Sequence, residues 1–220
     1  MNIVSRLTAA AAAATLVLAA PASAQITFSG YTNGCFYTAG DLACTPETTP
    51  GVRTDVVGPL TYTNSTFTVS SFGGVAAIGE TAATPNFNNL GSISLPAGAT
   101  GINFSNQRFV LNVFFTSPAG VSPTSTTYMA TLGGSVSDNS GAVDFDFDNS
   151  TRNFTFNGGA FSFRVNDVSL TNTGGMNTTG MTGFINVTQA SVPEPSTYLL
   201  MASGLAGLAF FGKRRRNNAV

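Results

Sequence analysis

Histidine and tryptophan are absent from this 220-residue chain, and lysine occurs once, at Lys213. Without histidine there is no Ser/His or Cys/His nucleophile pair and no histidine-bound zinc. Without tryptophan, and with only five tyrosines, the usual sugar-stacking platforms are scarce. Charge is scarce as well. Between Gln25 and Ser191, Arg53, Arg108, Arg152 and Arg164 stand against Asp41, Glu47, Asp55, Glu80, Asp138, Asp144, Asp146, Asp148 and Asp167, a net of minus five that cations near the two ends hide in the whole-chain figure of -1. A surface with no clustered cations argues against nucleic acid and anionic membranes as partners of this stretch. The carboxylates could in principle form a glycosidase-like pair, but nothing in the sequence singles out two that face each other across a cleft. The sequence therefore predicts a protein that is not an enzyme and holds no cofactor.

The cysteines number two, Cys35 and Cys44. Two thiols without histidine make a poor metal site, and a redox pair usually has the tighter Cys-x-x-Cys spacing. At hairpin-like spacing in an oxidising compartment the simplest expectation is one structural disulfide, stabilising by about 2–3 kcal/mol.

What is present is period-two alternation. Ile26/Phe28, Leu60/Tyr62, Phe67/Val69, Ile93/Leu95, Ile102/Phe104, Val143/Phe145/Phe147, Phe154/Phe156, Phe161/Phe163/Val165, Val168/Leu170 and Ile185/Val187 all alternate with polar or small residues, as half-buried strands do. Phe109 to Phe115 is apolar on both faces but for Asn112, which suits a central strand. The apolar phase changes from odd to even positions after Val165, so Asn166-Asp167 should be a bulge or kink. Turns are expected at Gly73-Gly74, Pro118-Ala119-Gly120, Gly133-Gly134, Asn149-Ser150, Asn157-Gly158-Gly159 and Gly174-Gly175, and longer loops over Thr45 to Asp55 and Pro118 to Thr127. No window between 25 and 191 carries a helical stripe. About ten short strands without helices point to an all-β fold, a single antiparallel β-sandwich of jelly-roll or immunoglobulin-like kind.

The two ends differ from this middle. Residues 1–24 carry a single charge, Arg6, then an alanine-rich apolar run, then Pro21-Ala22-Ser23-Ala24. That is the layout of a secretory signal peptide cut between Ala24 and Gln25, with the Sec translocon as the implied export route. Near the other end, Pro193 and Pro195 fix their own backbone and bias Val192 and Glu194 to extended conformations, making a short exposed rod. Tyr198 to Phe211 is uncharged and as a helix would rise about 21 Å. That is short of the roughly 30 Å hydrocarbon core, and Ser196, Thr197, Gly212 and a snorkelling Lys213 would lengthen it. Lys213, Arg214, Arg215 and Arg216 follow, which places the C-terminus in the cytoplasm. The alternative, a buried last helix of a soluble domain, fits poorly with a cation block at its end.

Val192-Pro193-Glu194-Pro195, a short apolar segment and an arginine-rich tail together resemble the PEP-CTERM sorting signal of Gram-negative bacteria, also catalogued as an ice-binding-protein C-terminal domain. The resemblance covers residues 192–217. It implies a transient anchor in the inner membrane and cleavage near Pro-Glu-Pro by an exosortase, followed by release to the cell surface or the extracellular medium. It also brings exopolysaccharide and biofilm as the family setting. Residues 25–191 are then the passenger, whose role the signal does not specify.

Within the passenger, Asp144-Phe145-Asp146-Phe147-Asp148-Asn149 resembles the opening of a calcium loop, but Asn149 replaces the glycine and Thr155 the bidentate glutamate. The competing reading is an amphipathic strand with three aspartates on its wet face, and it is the stronger. Thr61/Thr63, Thr66/Thr68 and Thr171/Thr173 could form rows suited to ice, but they recur at no fixed period. Sequons occur at Asn64, Asn103, Asn149, Asn153, Asn177 and Asn186, in a chain rich enough in Asn and Thr to produce them by composition. Two functional classes stay open: a structural or matrix protein of the cell surface, which is favoured, and a carbohydrate- or calcium-binding β-sandwich module. Aromatics and carboxylates gathered in a concave patch would mark the second.

Overall fold

Phenylalanine supplies the core. In the computed structural model, which describes residues 25–79, 88–99, 102–137, 140–172 and 175–190 together with Met201, Gly204 and Leu205, the buried set includes Phe28, Phe67, Phe104, Phe109, Phe115, Phe145, Phe147, Phe154, Phe161 and Phe163. Each such ring contributes about 1.5–3 kcal/mol by leaving water, and alternation along strands delivers them to one face.

The strands, numbered in chain order, form three antiparallel sheets. The large sheet contains β1 (Thr27–Thr38), β4 (Thr66–Ser70), β7 (Ile102–Asn103), β8 (Gln107–Ser117), β9 (Ser125–Ser137), β10 (Ser140–Phe147) and β13 (Val168–Thr171) in the order β13-β10-β9-β8-β1-β4, with β7 on the far end of β9, and it curls as a half-barrel. A second sheet runs β11 (Arg152–Phe156), β12 (Gly159–Val165), β15 (Gly183–Ala190), β5 (Val75–Ile78). A third runs β14 (Asn177–Gly180), β6 (Ser92–Leu95), β3 (Leu60–Thr63), β2 (Thr54–Val57). Both smaller sheets pack on the inner face of the large one. Phe28 meets Phe161 at 4.9 Å and Tyr128 meets Phe163 at 5.7 Å on the second sheet, while Tyr62 of the third meets Phe109 at 4.9 Å. Leu90 N donates to Met181 O and Met181 N to Gly91 O, at 2.9 and 2.8 Å, stitching the two smaller sheets together.

The all-β antiparallel expectation is borne out, and β8 is central, flanked by β9 and β1. Of the bulge or kink expected at Asn166-Asp167, it is the kink that forms: the chain leaves the second sheet there and enters the large one as β13, so both phases bury their apolar residues, against different partners. Several details differ. Gly133-Gly134 is no turn. Both glycines lie inside β9, where Gly134 has φ of 87° and the carbonyl oxygen of Ala142 sits where its Cβ would be. The loop expected to reach Thr127 ends sooner, since β9 begins at Ser125, and the one expected to reach Asp55 ends before β2 at Thr54. Phe104 is buried but lies just past β7. Gly174 lies outside the described residues.

Two buried phenols bridge the layers. Tyr62 Oη donates to Leu90 O at 3.1 Å beside Thr32 Oγ1, and Tyr128 Oη donates to Phe163 O at 2.8 Å. Burial pushes the pKa of both upward; the Thr32 hydrogen bond pulls Tyr62 part of the way back, and Arg152 does the same for Tyr128 against a smaller upward push from Asp148. The unfolded chain ionises these groups near pH 10, whereas the fold holds them neutral. Their contribution to stability is therefore complete below about pH 10 and is lost above it. Urea midpoints should be flat from pH 7 to 9 and fall toward pH 11, more steeply in the native chain than in Tyr62→Phe.

Candidate functional site

The longest irregular stretch of the described passenger, from Gly40 to Arg53, folds back over the outer face of β1. Its first anchor is the Cys35–Cys44 disulfide, with a Cα separation of 6.2 Å. The second is an amide pair. Asn33 Nδ2 donates to Glu47 O at 2.6 Å and Thr49 O at 3.2 Å. Asn64 Nδ2 donates to Asn33 Oδ1, Thr32 O and Gly51 O at 2.8, 3.0 and 2.6 Å, and Asn64 Oδ1 accepts from Arg53 N at 2.8 Å. Glu47 and Arg53 close the loop as an ion pair at 2.7 Å. The cleft beneath, about 380 Å³, is bordered by Asn33, Glu47, Arg53 and Asp55. Asp55 is in use there, accepting from Phe36 N at 2.6 Å. The carbonyls of Glu47, Thr49 and Gly51 accept from the Asn33 and Asn64 amides, so the cleft is a fastening built from side chains that short-range sequence pattern does not reveal.

Asp144 and Asp146 project from the exposed face of β10 and Asp148 follows its end, while Val143, Phe145 and Phe147 point into the core. That is the amphipathic strand. Asp148 Oδ2 pairs with Arg152 at 3.1 Å and its Oδ1 accepts from Ser150 Oγ at 2.8 Å, so its charge is already met. Asp167 serves the same corner, accepting from Phe147 N at 2.9 Å and Asn149 Nδ2 at 3.2 Å. Among the described residues no three acidic or cysteine side chains gather as a metal-binding group.

On the outer face of the second sheet, Arg164 of β12 stands opposite Phe184 of β15, its guanidinium 5.8 Å from the ring centroid. The neighbouring cross-strand pair is Ser162 and Asn186. Together with Thr151 they line an open groove of about 230 Å³. The two members of each pair lie twenty residues or more apart in the chain, so no local motif announces them. Of the sequons, Asn64 is buried and fully engaged, whereas Asn153 and Asn186 are exposed.

The terminal assignments fall differently. Gln25 is exposed at the start of the described chain, and Ala24, Val192, Pro193, Glu194, Pro195, Lys213, Arg214, Arg215 and Arg216 lie outside the described residues. Among the described residues no helix is long and apolar enough to cross a membrane. β15 ends at Ala190. The family model of the PEP-CTERM protein-sorting motif matches residues 191–216, starting at the next residue. No curated protein and no solved structure matches the chain.

Proposed function

From the premise that this chain carries a PEP-CTERM protein-sorting motif at residues 191–216, which directs export and surface sorting through an exosortase-type enzyme, we propose that it is a structural or matrix protein of the cell surface. Its passenger is a non-enzymatic β-sandwich, the large sheet forming one layer and the two smaller sheets the other. Residues 1–24 act as the signal peptide for the Sec translocon. Tyr198 to Phe211, stopped by Lys213 to Arg216, holds the protein in the inner membrane until cleavage near Pro193-Glu194-Pro195. The observation that carries this reading is the matched motif abutting, without a spacer, a passenger that is folded and disulfide-clipped.

Of the described carboxylates, Glu47, Asp55, Asp148 and Asp167 are each committed to structural partners, which supports the non-enzymatic role. Of the alternative reading, a carbohydrate- or calcium-binding module, the groove beside Arg164 supports the carbohydrate arm.

Replacing Pro193, Glu194 and Pro195 together by alanine is expected to leave the protein membrane-bound at its unprocessed mass. The native chain should be recovered outside the cell beginning at Gln25 and ending near Pro195, by intact mass spectrometry. Full-length protein free in the cytosol, with both thiols reduced, would sink the reading.

A further inference from the structure

Arg164 differs from the other arginines of the passenger. Arg53 pairs with Glu47, Arg152 pairs with Asp148, and Arg108 donates to the carbonyls of Ser105 and Gln107. Arg164 has no carboxylate or carbonyl acceptor among the described residues, although the passenger as a whole is acidic. It is exposed and lies over Phe184. A guanidinium held against a ring keeps its N–H donors for a ligand, and its planar fork matches a carboxylate in two-point fashion. Thr151, Ser162 and Asn186, in the same groove, likewise spend no side-chain hydrogen bond on the described protein. They add two hydroxyls and an amide at the positions where sugar hydroxyls would be read.

The sheet order selects among anionic ligands. β12 and β15 are the inner strands of β11-β12-β15-β5, so their backbone groups are already paired. A peptide therefore cannot join here as an added strand, which is how sheets usually read extended peptides. One arginine on an acidic domain is also a poor match for a polyphosphate backbone. Recognition has to come from side chains alone, over about 230 Å³, below the roughly 300–1,000 Å³ of a full ligand pocket. That size suits one unit of a longer chain.

We propose that this groove binds a single uronate unit of an acidic polysaccharide. Arg164 pairs with the carboxylate, Phe184 packs on the sugar ring, and Asn186 and Ser162 meet the hydroxyls. The proposal rests on the carbohydrate-binding reading above and is independent of how the protein is sorted.

The test is titration of the exported protein, followed by NMR, with trigalacturonate, neutral maltotriose and tri-glutamate. Trigalacturonate should bind in the millimolar range, with neither of the others matching it. Arg164→Gln should weaken it at least tenfold and Phe184→Leu several-fold. Arg108→Gln, which removes the same charge elsewhere, should leave it within twofold. Both Arg164 and Arg108 are outside the core, and circular dichroism verifies that the variants fold. Equal binding of maltotriose would overturn the uronate assignment while leaving carbohydrate binding standing. Equal binding of tri-glutamate, or equal weakening by Arg108→Gln, would reduce it to general charge attraction and overturn it. Absence of binding by all three probes would overturn both the assignment and the carbohydrate reading.

Discussion

Phe115→Ala is expected to destabilise the passenger by about 3–5 kcal/mol, the cost of emptying a large aromatic site. Its ring is 4% exposed, on the central strand β8, and stands 5.6, 5.0, 5.1 and 5.4 Å from the rings of Phe67, Phe154, Phe161 and Phe163. Those neighbours belong to β4, β11 and β12, so one deletion strips contacts from two sheets at once. Aromatic pairs of this edge-on kind add about 0.5–1.5 kcal/mol beyond burial. Against a total of about 5–15 kcal/mol for a domain, the loss is at least about a fifth of the stability, and the urea midpoint should fall accordingly. Phe72→Ala is the matched control, since Phe72 is 88% exposed at a hairpin tip, and should move stability by less than about 0.5 kcal/mol. Urea denaturation of the two variants decides. Equal and small effects would mean that the sheets do not share one core.

The second large effect is expected at Asn64. Asn64→Ala removes an amide that donates to Thr32 O, Asn33 Oδ1 and Gly51 O and accepts from Arg53 N. At least two of the abandoned groups are buried and lose their partners, each at about 1–3 kcal/mol. A total of about 2–4 kcal/mol is expected. The loss should be local as well as global: amides around Gly51 to Arg53 should exchange faster than those of β8 by hydrogen exchange, even where the domain remains folded. Unchanged protection there would show that the disulfide, Asn33 and the Glu47–Arg53 pair fasten the loop without Asn64.

The parts of the fold legible in the sequence are the strands whose core face is large and apolar. β10, β11 and β12 alternate phenylalanine or valine with polar residues, β8 is apolar on both faces from Phe109 to Phe115 but for Asn112, and the structure buries the large side chains of their core faces. β1 was legible only at its start, because its inward positions continue Gly30, Thr32, Gly34. The reason is steric. A Cβ at Gly30 would strike the Phe67 ring and the Phe114 carbonyl, and one at Gly34 would strike the rings of Phe109 and Tyr62. The strand is smooth so that rings from neighbouring strands can lie on it, and a hydrophobic-period reading sees nothing there. β9 was hidden similarly: Tyr128, Ala130 and Leu132 face inward, but exposed Met129 fills the gap in the alternation and Gly133-Gly134 mimics a turn.

The disulfide was legible because spacing and compartment both bear on it, and the structure forms it. The groove at Arg164 was not, because cross-strand neighbours are set by register, which a single sequence does not reveal. The aspartate row shows the reverse. Its spacing suggested an ion, while the strand it sits on accounts for the spacing by burying the phenylalanines between.

β15 lies between β12 and β5, and β5, more than a hundred residues upstream, has no other long-range strand partner in its sheet. The second sheet can close only after Gly183–Ala190 has emerged, and the sorting motif begins at the following residue. Completion of the passenger and exposure of its address are thus nearly one event in time. A chain halted a few residues early would present neither a finished domain nor a cleavable end.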